Sequence, residues 1–286
     1  MPTAQMLLNK FNNVKTLPHV AIRLSKLISD ENSTIQQFEE IIRLDPTLVL
    51  RLLRLVNSSY YGLCQKVESI SKAVVFIGTK NLRNMVVVEA LKDIFKEREK
   101  NDTFSRTKLW LHCAAVSICA RMISERIFEQ KGEDAFLAGT LHDIGMIVEN
   151  QVVQDLFLQV CEAYKNREKP LIQYEKEVIG THHSSVGYLL AREWKLPFAV
   201  QEAIKNHHSI LNDISPSSIT GIIQIADYII SKLNYPAILG MEETLSPFLE
   251  NHMEEMMGEY KTLIRDLPEE MEKAKDLYEI QAEEQS

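Results

Sequence analysis

Residues 45–62 read DPTLVLRLLRLVNSSYYG, and this stretch sets the fold class. Asp45 offers a side-chain oxygen to cap a helix start. Pro46 suits the first helical position, where a backbone N–H has no partner in any case. Asn57, the serines and Gly62 then end the helix. Working outward, the same signals recur. Upstream, PHVAIRLSKLIS (18–29) places Val20, Leu24 and Leu27 at helical spacing, with Ile28 alongside. The polar break DENST follows, and Ser33 or Thr34 caps IQQFEEIIRL. Downstream, SKAVVFIG is a helix stopped by Gly78, and KNLRNMVVVEALKDIF runs on to about residue 96. Its valines favour strands, but the surrounding 3.6-residue period argues helix. Further helices are expected near 107–128, 133–141, 143–165, 170–180, 184–194, 197–208 and 217–233. Two acidic helical segments finish the chain. No βαβ rhythm, glycine-rich phosphate loop or internal repeat is present, so the fold class is all-α.

The length of 286 residues allows one large domain or two small ones. KEREKNDTFSR (96–106) is the most polar gap in the first half and marks the expected boundary. The expected organisation is an N-terminal helical subdomain over 1–98, a second helical domain over 99–240 and an acidic extension over 241–286. Apolar residues make up 45% of the chain, enough for a proper core without disulfide or metal. No apolar run approaches the ~18–20 residues of a membrane span, and the N-terminus lacks signal-peptide features. Cys64, Cys113, Cys119 and Cys161 form no C-x-x-C pair. They read as reduced thiols, mostly buried, in a cytoplasmic protein. The net charge is −8, yet residues 241–286 alone hold 14 acids against 4 bases. The remainder is close to neutral, which argues against a nucleic-acid binder driven by a basic surface.

Six of the eight histidines fall between residues 112 and 208. Four of these form two doublets, THHSS and NHHSI, and another histidine precedes an aspartate in GTLHDIGMI (139–147). His112 sits on or beside an apolar helix face, near Leu109, Ala115 and Val116. Asp227 emerges beside the apolar stripe of IIQIADYIISKL, next to Ile223 and Ile230. A charged carboxylate there costs several kcal/mol unless it is paired or coordinated. Any single histidine is better read as a satisfied core or surface imidazole. The whole set favours metal, because imidazole and carboxylate together suit Zn, Fe, Ni or Mn. A carboxylate between imidazole groups can bridge two ions and hold a water between them, which then attacks a phosphoester.

These residues carry a resemblance. The order of His112, HD at 142–143, HHSSVG, HH at 207–208 and IADYI resembles the HD superfamily of metal-dependent phosphohydrolases. LPHVAIRLSKLI, IIRLDPTLVLRLLRLVNSSYYG, SISKAVVFIGTKNLRNMVV, FLAGTLHDIG and REWKLPFAVQEAIKNHH resemble its HDOD branch, over about residues 14–235. The resemblance implies an N-terminal helical bundle packed on a helical HD-like domain and a bacterial signalling or regulatory role. It implies one metal at His112, His142, Asp143 and Asp227. It implies a second at His183, His207 and His208, with Asp143 bridging and catalytic. His183 rather than His182 fits the family's H-x-x-x-G spacing; His182 becomes a neighbour or a substrate contact. The two ions are expected to be divalent transition metals, Fe or Mn ahead of Zn or Ni. Met146 stands where the branch that cleaves cyclic di-GMP usually has lysine, and no GYP loop follows His208. Lys108 stands where trinuclear members have an acid. Both departures count against cyclic di-GMP hydrolysis and a third metal.

Two functions follow. The first is hydrolysis of a nucleotide or other phosphoester, with Lys108, Arg121, Arg192 or Lys205 neutralising phosphate. The second is a non-catalytic signalling module that binds a ligand, or a partner protein through its N-terminal bundle. There the hydroxyl and aromatic groups of NSSYYG either bind or simply satisfy the helix end. A structural metal comes last, because seven candidate ligands exceed one closed four-coordinate site. Neither nucleic acid nor membrane is an expected partner.

Overall fold

The computed structural model describes residues 2–12, 23–24, 26–27, 33–58, 60–96, 103–210, 213–238, 241 and 243–278. The regular structure among these residues is helical, with no strand. No helix among them is long and apolar enough to cross a membrane. The segment 18–29 lies largely outside the described residues. The chain divides into two compact units, Met1–Thr16 with Ile94–Arg265, and Leu17–Asp93 with Asp266–Ser286.

The second of these units contains α2 (Ile35–Ile42), α3 (Pro46–Val56) and nearly all of α4 (Ile70–Phe95). Thr34 caps α2 and Gln37 reaches back to it, so two otherwise orphaned N–H groups are satisfied reciprocally. Asp45 Oδ1 accepts from Leu48 N at 3.1 Å, the cap expected of the DP pair. Gly78, at φ 78° and ψ 161°, interrupts α4 where a side chain would be strained. The end of α3 is pinned by Asn57. Its Oδ1 accepts from Val67 N at 2.8 Å, and its Nδ2 donates to the Val67 and Leu53 carbonyls. Ser58 Oγ donates to the Leu55 carbonyl. These two side chains of NSSYYG therefore serve the backbone.

The other unit is built round α5 (Arg106–Arg126), which is buried on nearly all sides from Leu109 to Ser124. A helix apolar all round belongs at the centre of a bundle. The remaining helices are α1 (Ala4–Asn12), α6 (Glu133–Leu141), α7 (Ile144–Val152), α8 (Gln154–Tyr164), α9 (Leu171–Val178), α10 (His183–Glu193), α11 (Phe198–Asn206) and α12 (Ile219–Lys232). α13 (Pro247–Glu255) and α14 (Met257–Tyr278) as far as Arg265 follow, and the rest of α14, from Asp266, belongs to the unit of α2–α4. Along α14, Tyr260 and Leu263 are buried before Arg265, and Leu267, Ala274 and Leu277 are buried beyond it, so each part of this acidic segment carries buried apolar residues.

Three differences from the sequence reading have physical causes. The single helix expected over 143–165 is two, because Val153 leaves helical geometry at φ −137° and ψ 48°. Helix α11 ends at Asn206, so His207 and His208 lie on a turn rather than in the helix expected over 197–208. Helix α10 begins at His183 itself, with His182 extended before it.

Two glycines set the close approaches that assemble the centre of this unit. A Cβ on Gly139 would fall 2.6 Å from Ser117 Cα, so α6 can press on α5 only with glycine there. A Cβ on Gly145 would fall 1.9 Å from the His183 carbonyl oxygen. The first turn of α7 therefore rides directly on the start of α10.

Candidate metal centre

Helix α5 brings His112 inward, and the close α5–α6 crossing brings His142, at the end of α6, to meet it. Their Nε2 atoms stand 3.1 Å apart. Asp227, from the buried face of α12, places Oδ1 3.3 Å from His112 Nε2 and Oδ2 3.9 Å from His142 Nε2. This is one cluster of donors.

A second cluster lies on the far side of Asp143. His183, at the start of α10, has its Nε2 3.3 Å from His207 Nε2 and 3.0 Å from His208 Nε2. Asp143 occupies the break between α6 and α7, outside helical geometry at φ −100° and ψ 10°. Its Oδ2 faces His142 at 3.3 Å and His112 at 3.6 Å. Its Oδ1 faces His183 and His207, both at 3.4 Å. Each oxygen thus addresses one pair of imidazoles. The structure brings together all seven residues singled out from the sequence.

The outer nitrogens explain which way the rings face. His112 Nδ1 donates to the Tyr235 carbonyl at 2.6 Å, His142 Nδ1 to Gly139 O at 2.8 Å and His207 Nδ1 to Ile204 O at 2.8 Å. His183 Nδ1 donates to Glu175 at 2.8 Å, and His208 Nδ1 to Glu243 at 3.0 Å. An acceptor at every Nδ1 places the hydrogen there and leaves the lone pair on Nε2. Five Nε2 atoms therefore point inward, at separations of 3.0–3.3 Å within the pairs named. Lone pairs so placed repel unless a cation or proton lies between them.

A metal fits this set. Asp143 Oδ1 and Oδ2 are both buried with no hydrogen-bond partner, which is costly for an ionised carboxylate. Ligands at about 2.1 Å from one ion stand about 3.0–3.4 Å from each other, close to the spacings found here. Asp143, His183, His207 and His208 form one group with donor atoms within 4.8 Å of one another, and His112, His142 and Asp227 form another.

Charge in the cluster is strongly organised. Burial would raise Asp143, but His142, His207 and His183 outweigh it and hold its carboxyl well below the usual range. Burial is likewise outweighed at Asp227, held low by His112 and His142. At His142, burial opposes protonation while Asp143 and Asp227 favour it, and the imidazole rises to about 9. Against the same burial, His208 rises to about 10 through Glu243, Asp143 and Asp227. Burial and then charged His208 push His207 down to about 3.

Sequence reading missed the outer layer. Glu175 is fully buried behind His183, and its pairing with that imidazole holds it low against burial. Glu149, also fully buried, is pushed well up by burial and by Glu175. Its oxygens meet no donor. Two ionised carboxylates only accept, so a proton on Glu149 is what lets the pair bond. Glu243 and Gln224 complete this layer. None belongs to a motif, and long-range folding alone brings them in. An acid eight residues before His183 is a signal only after the α9–α10 packing is known. His182 is drawn aside, with Nε2 2.8 Å from Ser185 Oγ, and burial lowers it to about 4. Among the cations proposed for phosphate, Arg192 and Lys205 lie over the Tyr188 ring, Arg121 pairs with Glu125 and Lys108 is exposed at the start of α5. Met146 is fully buried.

The model of the HDOD domain matches residues 14–210. An HDOD domain protein of unknown function from Geobacter sulfurreducens aligns with TM-score 0.75 and 24% identity, covering 96% of this chain and 98% of its own. A protein of Shewanella amazonensis SB2B, named provisionally as a phosphohydrolase, aligns with TM-score 0.71 and 24% identity over 95% of this chain and 97% of its own. At these identities the likeness establishes the fold. An uncharacterised protein of Treponema pallidum (strain Nichols) is 23% identical over 208 residues, which is 72% of this chain and 40% of that protein. The chain spans less than half the length of the curated relatives it matches.

Proposed function

The chain belongs to the HDOD family, and on that premise we propose that it is a cytoplasmic signalling protein whose dinuclear metal centre hydrolyses a nucleotide or other phosphoester. The observation that carries this reading is Asp143. Each of its two buried, unpartnered oxygens faces its own pair of imidazole Nε2 atoms. His112, His142, Asp143 and Asp227 would hold one ion; His183, His207, His208 and the other oxygen of Asp143 would hold the second. Mixed imidazole and carboxylate donors suit iron or manganese, with zinc or nickel as alternatives. Divalent ions bound there would supply Lewis acidity toward water and a phosphoryl group.

The chain's own groups do the rest. Asp143, held ionised, fixes the two halves in register and is the residue to which the catalytic role is assigned. Glu175 and Glu243 take the Nδ1 hydrogens of His183 and His208, keeping both Nε2 lone pairs turned inward. A relative named provisionally as a metal-dependent phosphohydrolase, with TM-score 0.59, is consistent with this chemistry.

The test is metal content by mass spectrometry on full-length protein never exposed to chelator, beside Asp143→Ala, followed by a phosphoester screen. About two ions per chain, lost in the variant, together with turnover, would support the reading. No metal even after anaerobic reconstitution with iron or manganese would sink it.

A second, compatible role is favoured by one surface of the unit that contains α2, α3 and most of α4. Val75 and Phe76 are 68% and 53% exposed, and with Ile35 they line a shallow pocket beside Ser71 and Lys72. We assign a signalling partner to this face; a solved structure named provisionally as a signal transduction protein has the same fold. Val75→Ser with Phe76→Ser should abolish partner capture while metal content stays unchanged. Equal capture by the double variant would remove this role.

A further inference from the structure

His207 and His208 are corner residues of a turn that one side chain closes from outside. Helix α11 stops at Asn206, and Ser209 N donates back to the Asn206 carbonyl at 2.9 Å. The doublet therefore sits at the two central positions of a four-residue turn, which explains how adjacent rings both face the centre. Their centroids are 4.1 Å apart, inclined at 44°. A helix end leaves its last carbonyls without intrahelical donors. Here Gln224 adds a side-chain donor at each end of the turn. Its Nε2 donates to Asn206 O and to Ser209 O, each at 2.9 Å, so one amide uses both hydrogens on the two ends of the turn. Both partners are acceptors, which fixes the amide's orientation. Gln224 is buried on α12, three residues before Asp227.

We propose that Gln224 is a positioning residue that clamps the His207–His208 turn, and that through it α12 sets the register between the two halves of the centre. The inference rests on the metal reading above only for its consequence. The same helix gives Asp227 to the first cluster and holds the backbone of the doublet in the second. Without the clamp, His207 keeps only its Ile204 tether and His208 only its bond to Glu243. Methionine has glutamine's length without donors, and asparagine has the donors without the reach to both carbonyls.

The test uses full-length Gln224→Met and Gln224→Asn, titrated with manganese and checked by circular dichroism. Expected is wild-type uptake of the first ion with at least about tenfold weaker uptake of the second, the scale of losing an outer-layer partner. Two ions bound as tightly as in wild type would overturn the proposal. A crystal structure of either folded variant judges it independently of metal. The 206–209 turn should shift and draw His208 away from His183, whereas an unmoved turn overturns the proposal even if wild type binds no ion. Wild type without metal, beside a shifted turn in the variant, would defeat the metal reading alone and uphold the clamp.

Discussion

Gly145 stands so close to His183 that a Cβ on the glycine would lie 1.9 Å from the histidine's carbonyl oxygen. That contact joins the turn bearing Asp143 to the start of α10, and so sets the distance between Asp143 and His183. Backbone cannot yield as a side-chain tip can. Gly145→Ala should therefore lose about 2–3 kcal/mol of stability, as overpacking does. It should also lose the second ion before the first. Urea denaturation beside metal analysis would check both; wild-type values in each would show that the approach is not needed.

Metal uptake should release protons. Without an ion, His142 and His208 are raised to about 9 and about 10, so both are charged at pH 7. A coordinating imidazole must be neutral at the donor nitrogen. Loading the chain at pH 7 should expel about two protons, and affinity should rise with pH until those groups have titrated. Calorimetry in two buffers of different ionisation enthalpy measures this number directly. Identical heats in both buffers would contradict it.

Much of this was legible in the sequence, and the reasons differ by residue. Helix ends that depend on local chemistry, such as Thr34 with Gln37, Asp45 before Leu48, and Gly78, are written where they act. The seven inner donors were legible because their types and order are unusual together. Glu149, Glu175, Gln224 and Glu243 were not, because each gains its role from a partner fixed by packing. The register of the doublet was misplaced for a related reason. Helical periodicity continues through His207 and His208, but the turn closed by Ser209 and held by Gln224 ends the helix first.

Asn57 tests how the NSSYYG segment is used. Its side chain makes bonds to both backbone groups of Val67 and one to Leu53. Asn57→Ala should therefore destabilise the unit containing α3 by about 2 kcal/mol, at roughly 1 kcal/mol per net bond with some compensation by water. Metal content should not change. A variant with unaltered urea midpoint but lost partner capture would instead make the loop a binding element.

Glu149 gives the last prediction its sign. An unfolded glutamate loses its proton near pH 4.3. In the folded protein burial and Glu175 raise Glu149 well above its ordinary range. Between those limits the folded state binds the extra proton, so the contribution of Glu149 is fully present at low pH and is lost as pH rises, by up to about 1.4 kcal/mol per unit. Glutamine is neutral at every pH, has the same shape and can donate to Glu175. Glu149→Gln should therefore match wild type near pH 5 and become progressively more stable than it toward pH 8. Urea denaturation of the metal-free proteins at several pH values provides the comparison, because the histidine contributions are common to both. Parallel curves would mean that Glu149 ionises without penalty, and the pairing with Glu175 behind His183 would have to be abandoned.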